Sequence, residues 1–309
     1  MAHYIGKRLL QLIPIVIGLS FLTFLLMYIS PGDPAIKKLN AQGIPIDGEV
    51  LAETREEMGL NEPFLVRYGQ WLGDLVRGDF GTSYKDGLPV LPKLLTAMGK
   101  TLIWAAATLA VALALSLPLG ILSAVRQNRP IDYIVRFFSF VGNSMPSFLI
   151  SVLLMYVLCI RLKLLKIVAD QSFKGLLLPC LAMAIPMTGR FIRQIRAQVL
   201  EELGKGYVLG ARARGVGELR VLTRNVLHNS LMGILTVVGM ATGTMLGGSV
   251  IIETIFSWPG IGKLVMDSIT GRDYPVIQGF VVFMASIYVI INLLTDVSYR
   301  LVDPRIRED

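Results

Sequence analysis

The residues able to do chemistry are few and scattered. The two histidines are His3, near the N-terminus, and His228, in a basic loop. The two cysteines, Cys159 and Cys180, sit inside apolar runs, where a free thiol packs as a small apolar group. No His/Cys cluster with metal-ligand spacing exists. The chain has no Walker A pattern for cradling nucleotide phosphates, no HExxH, no GxSxG and no CxxC. It is therefore expected to bind no cofactor and to perform no catalysis itself. Two acids, Glu253 and Asp296, lie near the ends of apolar runs. A carboxylate there is a candidate for proton relay, but a helix-end ion pair is the simpler role. Gly239, Gly243 and Gly247 recur every four residues, which puts them on one helix face. Such a face serves tight packing first, and otherwise lines a pathway or a subunit interface.

The elements that must position these residues are apolar spans. Hydrophobic residues make up 53% of the 309 positions and charged residues only 17%, with a mean hydropathy of +0.61. That balance excludes disorder, and two cysteines exclude a disulfide framework. The apolar residues are blocked into runs rather than mixed through the chain. A bilayer core about 30 Å thick needs roughly 20 largely apolar helical residues. Residues 9–29, 101–125, 137–160, 232–252 and 275–294 are each free of charge. A weaker sixth span covers 175–189, carries Pro179 and Pro186, and competes with a re-entrant reading. Residues 9–29 are too long for a signal peptide, and Ser30-Pro31-Gly32-Asp33 is no cleavage site.

Six spans with a cytoplasmic N-terminus place 16 Lys/Arg inside and 14 outside. The first outer segment, 30–100, exceeds 60 residues and translocates largely regardless of charge. Without it, six remain outside, four of them (Arg161, Lys163, Lys166 and Lys174) a local violation. The net charge of +8 is thus a topology signal and requires no nucleic-acid partner. Three regions follow: 1–30 as tail and first span, 31–100 as an outer segment, and 101–309 as a five-helix core. Within the outer segment, 50–59 reads as a short amphipathic helix. Phe64, Leu65, Tyr68, Trp71, Leu72 and Leu75 form a helical stripe suited to the membrane surface or to packing on the bundle. Residues 78–83 read as a turn.

The cytoplasmic segment 190–229 holds eight Lys/Arg and includes Tyr207-Val208-Leu209-Gly210-Ala211-Arg212-Ala213-Arg214-Gly215. Small residues there permit close helix approach. Gly215 can take the left-handed conformation that ends a helix, and Arg212 and Arg214 suit a helix C-terminus. The pattern predicts a short helix, a turn and a return segment over 218–227. An ordered loop of this kind between two spans suits docking to a partner.

A set of short motifs runs along the chain. It begins with Gly32-Asp33-Pro34-Ala35, then Gly59-Leu60 with Pro63 and Tyr68, and Asp79-Phe80-Gly81-Thr82-Ser83. Ser144-Met145-Pro146-Ser147-Phe148, Tyr207-Val208 and Ala211-Arg212-Ala213-Arg214-Gly215 follow. The set closes with Gly247-Gly248, Glu253, Phe256-Ser257-Trp258-Pro259-Gly260-Ile261-Gly262, Arg272-Asp273-Tyr274-Pro275-Val276-Ile277-Gln278, Asn292, Asp296 and Asp303-Pro304-Arg305-Ile306-Arg307. In this order and at these spacings the chain resembles the permease subunits of the dipeptide/oligopeptide/nickel family of bacterial ABC importers.

The resemblance implies an all-α, six-helix type I importer permease in the bacterial inner membrane, pairing with a second, similar permease. It further implies two separate ATPase subunits below, an extracytoplasmic binding protein above, and alternating access driven by nucleotide. The coupling helix inserted into the ATPase would then be about 207–218, with Tyr207, Ala211, Arg212, Ala213, Arg214, Gly215 and Glu218 as its residues. The wider class often has Glu-Ala-Ala before that glycine, where this chain has Leu209, Gly210 and Ala211. The short third outer segment, and 40–60 with Gly43-Ile44-Pro45, look more like nickel or metal-chelate permeases than long-peptide ones. A stand-alone secondary transporter or channel is the alternative. It would need inverted repeats or a buried charge array, and neither is evident.

Overall fold

A long apolar run satisfies its own backbone hydrogen bonds within one segment as a helix, and helices are what form. The computed structural model describes residues 2–168 and 172–302. Among them no β-strand forms, only an isolated pairing of Thr82 with Pro89. The helices are α1 (Ala2–Ile29), α2 (Pro34–Gln42), α3 (Gly48–Glu57), α4 (Phe64–Val76), α5 (Val90–Val125), α6 (Pro130–Ser144) and α7 (Ser147–Leu154). There follow α8 (Phe173–Leu203), α9 (Gly206–Ala213), α10 (Glu218–Arg220), α11 (Leu227–Phe256), α12 (Ile261–Gly271) and α13 (Tyr274–Val302). Two wider π-helical stretches, Met155–Arg161 and Val221–Val226, continue α7 and join α10 to α11.

The chain divides into two units, Met1–Lys100 with Pro259–Leu293, and Thr101–Trp258 with Leu294–Asp309. In the first unit, α4 docks on α1 through aromatic edges. Phe21, Phe24 and Tyr28 of α1 meet Phe64 and Tyr68 of α4 at centroid distances of 5.1–5.6 Å. The Tyr68 hydroxyl shares a hydrogen bond with Ser20 Oγ at 3.0 Å and donates to the Ile17 carbonyl at 3.2 Å. Of the two placements open to the 64–76 stripe, its inner face therefore packs on α1. The predicted 50–59 helix is present as α3. The sequence reading did not anticipate α2, although its signals are plain. Asp33 caps the Ala35 N–H at 2.9 Å, Pro34 occupies the first turn, and Gly43 ends the helix at φ +70°. A small core of Val90, Leu94, Met98, Ile261 and Val276 completes the unit.

In the second unit, α8 is the central helix. Its 31 residues continue through Pro179 and Pro186, so the weak 175–189 span lies inside an unbroken helix of about 46 Å. More than half of its most apolar stretch is buried. Glycines set the contact with α6: a Cβ on Gly189 would fall 2.5 Å from the Ser139 carbonyl oxygen, and Ser139 Oγ donates to the Gly189 carbonyl at 2.6 Å.

The 137–160 run behaves differently from its expectation as one span. It breaks at Met145-Pro146, and α6 and the α7 segment meet at 99°. Proline disfavours helical backbone at the preceding residue, and Met145 is extended at φ −89°, ψ 129°.

Three helices, Val90–Val125, Phe173–Leu203 and Tyr274–Leu293, are long and apolar enough to cross a membrane. Three helix pairs separated by short breaks qualify together, which allows up to six spans if each pair counts as one.

Candidate functional site

The predicted loop after α8 is an ordered, self-braced element. Lys205 starts α9 and Arg214 ends it, followed by Gly215 at φ +76°. The Gly215 N–H bonds the Arg212 carbonyl at 2.9 Å, and the Val216 N–H bonds the Ala211 carbonyl at 3.2 Å. These two bonds make a Schellman cap, which needs a left-handed residue at Gly215. The turn then leads into α10 and, through the π-helical stretch, into α11.

Charged side chains brace the element from within. Arg212 grips Glu218 with two bonds, Nε to Oε1 at 2.7 Å and Nη2 to Oε2 at 3.0 Å, closing the turn across the glycine. Glu202, at the end of α8, accepts from Lys205 Nζ at 2.5 Å and from the Tyr207 hydroxyl at 2.6 Å. The Glu202 bond raises the Lys205 pKa, and burial together with that bond raises that of Tyr207. Both groups therefore keep their protons at neutral pH. Val208 and Ala211 are buried and fix α9 to the unit. Leu209 (61% exposed) and Leu219 (75% exposed) turn outward with Arg212, Ala213 and Arg214. The outward face thus combines apolar and basic groups.

The same unit holds a cluster whose charges read in the sequence only as a topology signal. Asp132 of α6 is fully buried. It accepts two bonds from Arg196 of α8 at 2.8 and 2.9 Å, one from Ser123 Oγ of α5 at 2.5 Å, and one from the Asn128 N–H at 2.9 Å. Four elements of the second unit meet on that carboxylate. The available signal was an acid in the first turn after Arg129-Pro130, where a helix begins.

The remaining candidates are more dispersed. Glu253 is fully buried in the second unit and accepts from Thr101 Oγ1 at 2.6 Å. Gly239 and Gly243 are half-buried, whereas Gly247 is exposed with open space beside it. The side chain of Asp296 and the segment from Asp303 to Arg307 lie outside the described residues. Among the described residues no three His, Cys, Asp or Glu side chains are grouped to hold a metal ion.

In the first unit, motifs far apart in sequence converge. Asp273 accepts from Ser83 Oγ at 2.5 Å and from the Tyr84 N–H at 2.9 Å. Arg272 donates to the Pro31 carbonyl at 2.8 Å, and Lys37 Nζ to the Tyr274 hydroxyl at 2.9 Å. Arg55 pairs with Asp33. Of these residues, Asp33, Arg55, Tyr84 and Tyr274 line a cleft of about 480 Å³.

Comparison with known proteins identifies the family. The family model "Binding-protein-dependent transport system inner membrane component" matches residues 116–308, and its N-terminal companion matches 1–105. The oligopeptide transport system permease protein AppB of Bacillus subtilis (strain 168) is 37% identical over 99% of both chains. The metal-staphylopine import system permease protein CntB of Staphylococcus aureus (strain Mu50 / ATCC 700699) is 34% identical over 100% of this chain and 99% of that protein. An inward-facing structure of the MetNI methionine ABC transporter shares the fold at a TM-score of 0.59 and 16% identity, covering 69% of this chain and 98% of that one. The chain belongs to the inner membrane components of binding-protein-dependent transport systems.

Proposed function

We propose that this chain forms half of the translocation pathway of an ATP-driven importer, pairing with a second permease and docking through 207–218 onto a separate ATPase. The observation that carries the reading is the Schellman-capped α9 with its Arg212–Glu218 clasp. A rigid, outward-facing projection can transmit a push, which a floppy charged loop cannot. Nucleotide-driven closure of the ATPase pair would pull on this projection, and the permease pair would respond by opening outward. Such a shift requires that nucleotide and loaded binding protein differ in affinity for the two states. Where the wider class carries a Glu, Leu209 offers an apolar contact, and Arg214 remains as a basic one.

The cargo is a di- or oligopeptide or a metal chelate. Relatives named for oligopeptide, dipeptide and metal-staphylopine import are 37%, 35% and 34% identical, so overall likeness does not separate these classes.

Gly215→Pro tests the coupling role. Proline is held near φ −65° and lacks the N–H that bonds Arg212, so the cap cannot form. Uptake and substrate-stimulated ATPase activity of the assembled importer should fall to background, while membrane insertion stays normal. Wild-type transport by this variant would refute the assignment.

A further inference from the structure

Two hydrogen-bond donors of the first unit's cleft, Arg67 and Trp71, meet no acceptor among the described residues. Arg67 and Trp71 stand one turn apart on α4 and both line it. The Arg67 guanidinium lies 5.8 Å from the Phe24 ring centroid and has no carboxylate partner among the described residues, whereas the cleft's other arginine, Arg55, is taken by Asp33. Asp74, also on the rim, faces Arg77 at 3.9 Å. The indole Nε1 of Trp71 is buried and finds no acceptor among the described residues. A buried donor left unpaired carries its full desolvation cost, so such a group in a native site points to an acceptor that arrives from outside.

The walls between these donors are aromatic. Phe24 and Phe80 supply apolar surface, and Tyr84 and Tyr274 pack edge to face at 6.4 Å. Burial pushes the Tyr84 phenol well above its ordinary value, so its hydroxyl stays neutral and offers a further hydrogen bond. The cleft volume of about 480 Å³ falls within the range of roughly 300–1,000 Å³ for small-molecule sites.

The geometry points to a receiving site for a small solute that carries a free carboxylate beside an apolar or aromatic body, the carboxylate held by Arg67 and Trp71 Nε1. A guanidinium offers paired N–H donors matched to a carboxylate, and the indole adds one more. A short peptide or amino acid with its C-terminus free has this chemistry. The inference builds on the importer reading for how the solute arrives, but not for whether it binds.

Binding is measured with the full chain in lipid nanodiscs, without ATP, ATPase or binding protein, so failure here is separable from failure of the importer reading. The probes are the dipeptide Ala-Phe, its C-terminal amide, and glutarate, which has carboxylates but no aromatic body. Ala-Phe should bind at least tenfold tighter than the other two. Arg67→Gln should erase the preference for acid over amide, and Trp71→Phe, which keeps a ring but removes the donor, should weaken Ala-Phe several-fold. Arg67→Lys should retain part of the preference. Equal binding of acid and amide to the wild type, or no binding of Ala-Phe at millimolar concentration, overturns the proposal. So does glutarate binding as tightly as Ala-Phe, because the cleft would then read charge alone. If Arg67→Gln fails to fold, Trp71→Phe decides: unchanged affinity in that variant counts against the site.

Discussion

At the scale of single residues, buried charge decides more than buried bulk. The Asp132 carboxylate is fully buried, so its stability depends on the Arg196 fork and the Ser123 and Asn128 donors. Removing one partner of a buried pair typically costs about 3–5 kcal/mol, because the other charge is stranded. Arg196 keeps 16% of its side chain exposed, which puts Asp132→Ala near the lower end, about 3 kcal/mol. The double variant Asp132→Ala, Arg196→Met should be less destabilised than Asp132→Ala alone, since no stranded guanidinium remains. Thermal unfolding in detergent measures both, and purely additive losses would show that the two side chains do not act as a pair. None of this was legible in the sequence, where Arg196 reads as one of several inside-facing basic residues. Charge counting locates a residue on a side of the membrane but says nothing of its partner. Gly215, by contrast, was legible, since a glycine after a basic helix end permits few alternatives to a left-handed cap.

At the scale of elements, periodicity was informative where one face packs and uninformative where all faces are apolar. The 64–76 stripe alternates strongly enough to define α4, and its inner face docks on α1. Residues 137–160 carry no such pattern, and an uninterrupted apolar run hides the corner at Met145-Pro146. The dipeptide is part of a family motif, although its backbone consequence is a general property of proline. Hydrogen bonds join the aromatic contacts between α4 and α1. Tyr68→Phe removes the bonds to Ser20 and Ile17 and leaves the ring contacts with Phe21 and Phe24. The expected loss is about 1 kcal/mol, seen as a modest fall in unfolding midpoint. Tyr68→Ala should cost several-fold more, because the aromatic cluster goes with it. Equal effects of the two substitutions would mean that the ring adds nothing beyond its hydroxyl.

At the scale of the whole molecule, charge and hydropathy together imply an orientation that can be read directly. The cytoplasmic assignment of 190–229 rests on its eight Lys/Arg, and the outer assignment of 30–100 on a single crossing after a cytoplasmic N-terminus, its length exempting it from the charge count. Both segments expose residues suited to labelling, Asn61 before α4 and Arg214 at the end of α9. The native thiols are the buried Cys180 and the half-buried Cys159, and a Cys159→Ser, Cys180→Ser background removes any signal from them. In that background, Asn61→Cys should react with a membrane-impermeant maleimide in intact cells. Arg214→Cys should react only in inside-out vesicles, or after the cells are permeabilised. The reverse pattern would invert the chain. Labelling of both positions from one side would require an odd number of crossings to be lost or gained between residues 61 and 214, which puts the bent pair at Met145-Pro146 first under suspicion. A run that turns by 99° halfway is the element of this chain that length alone identifies least well as a crossing.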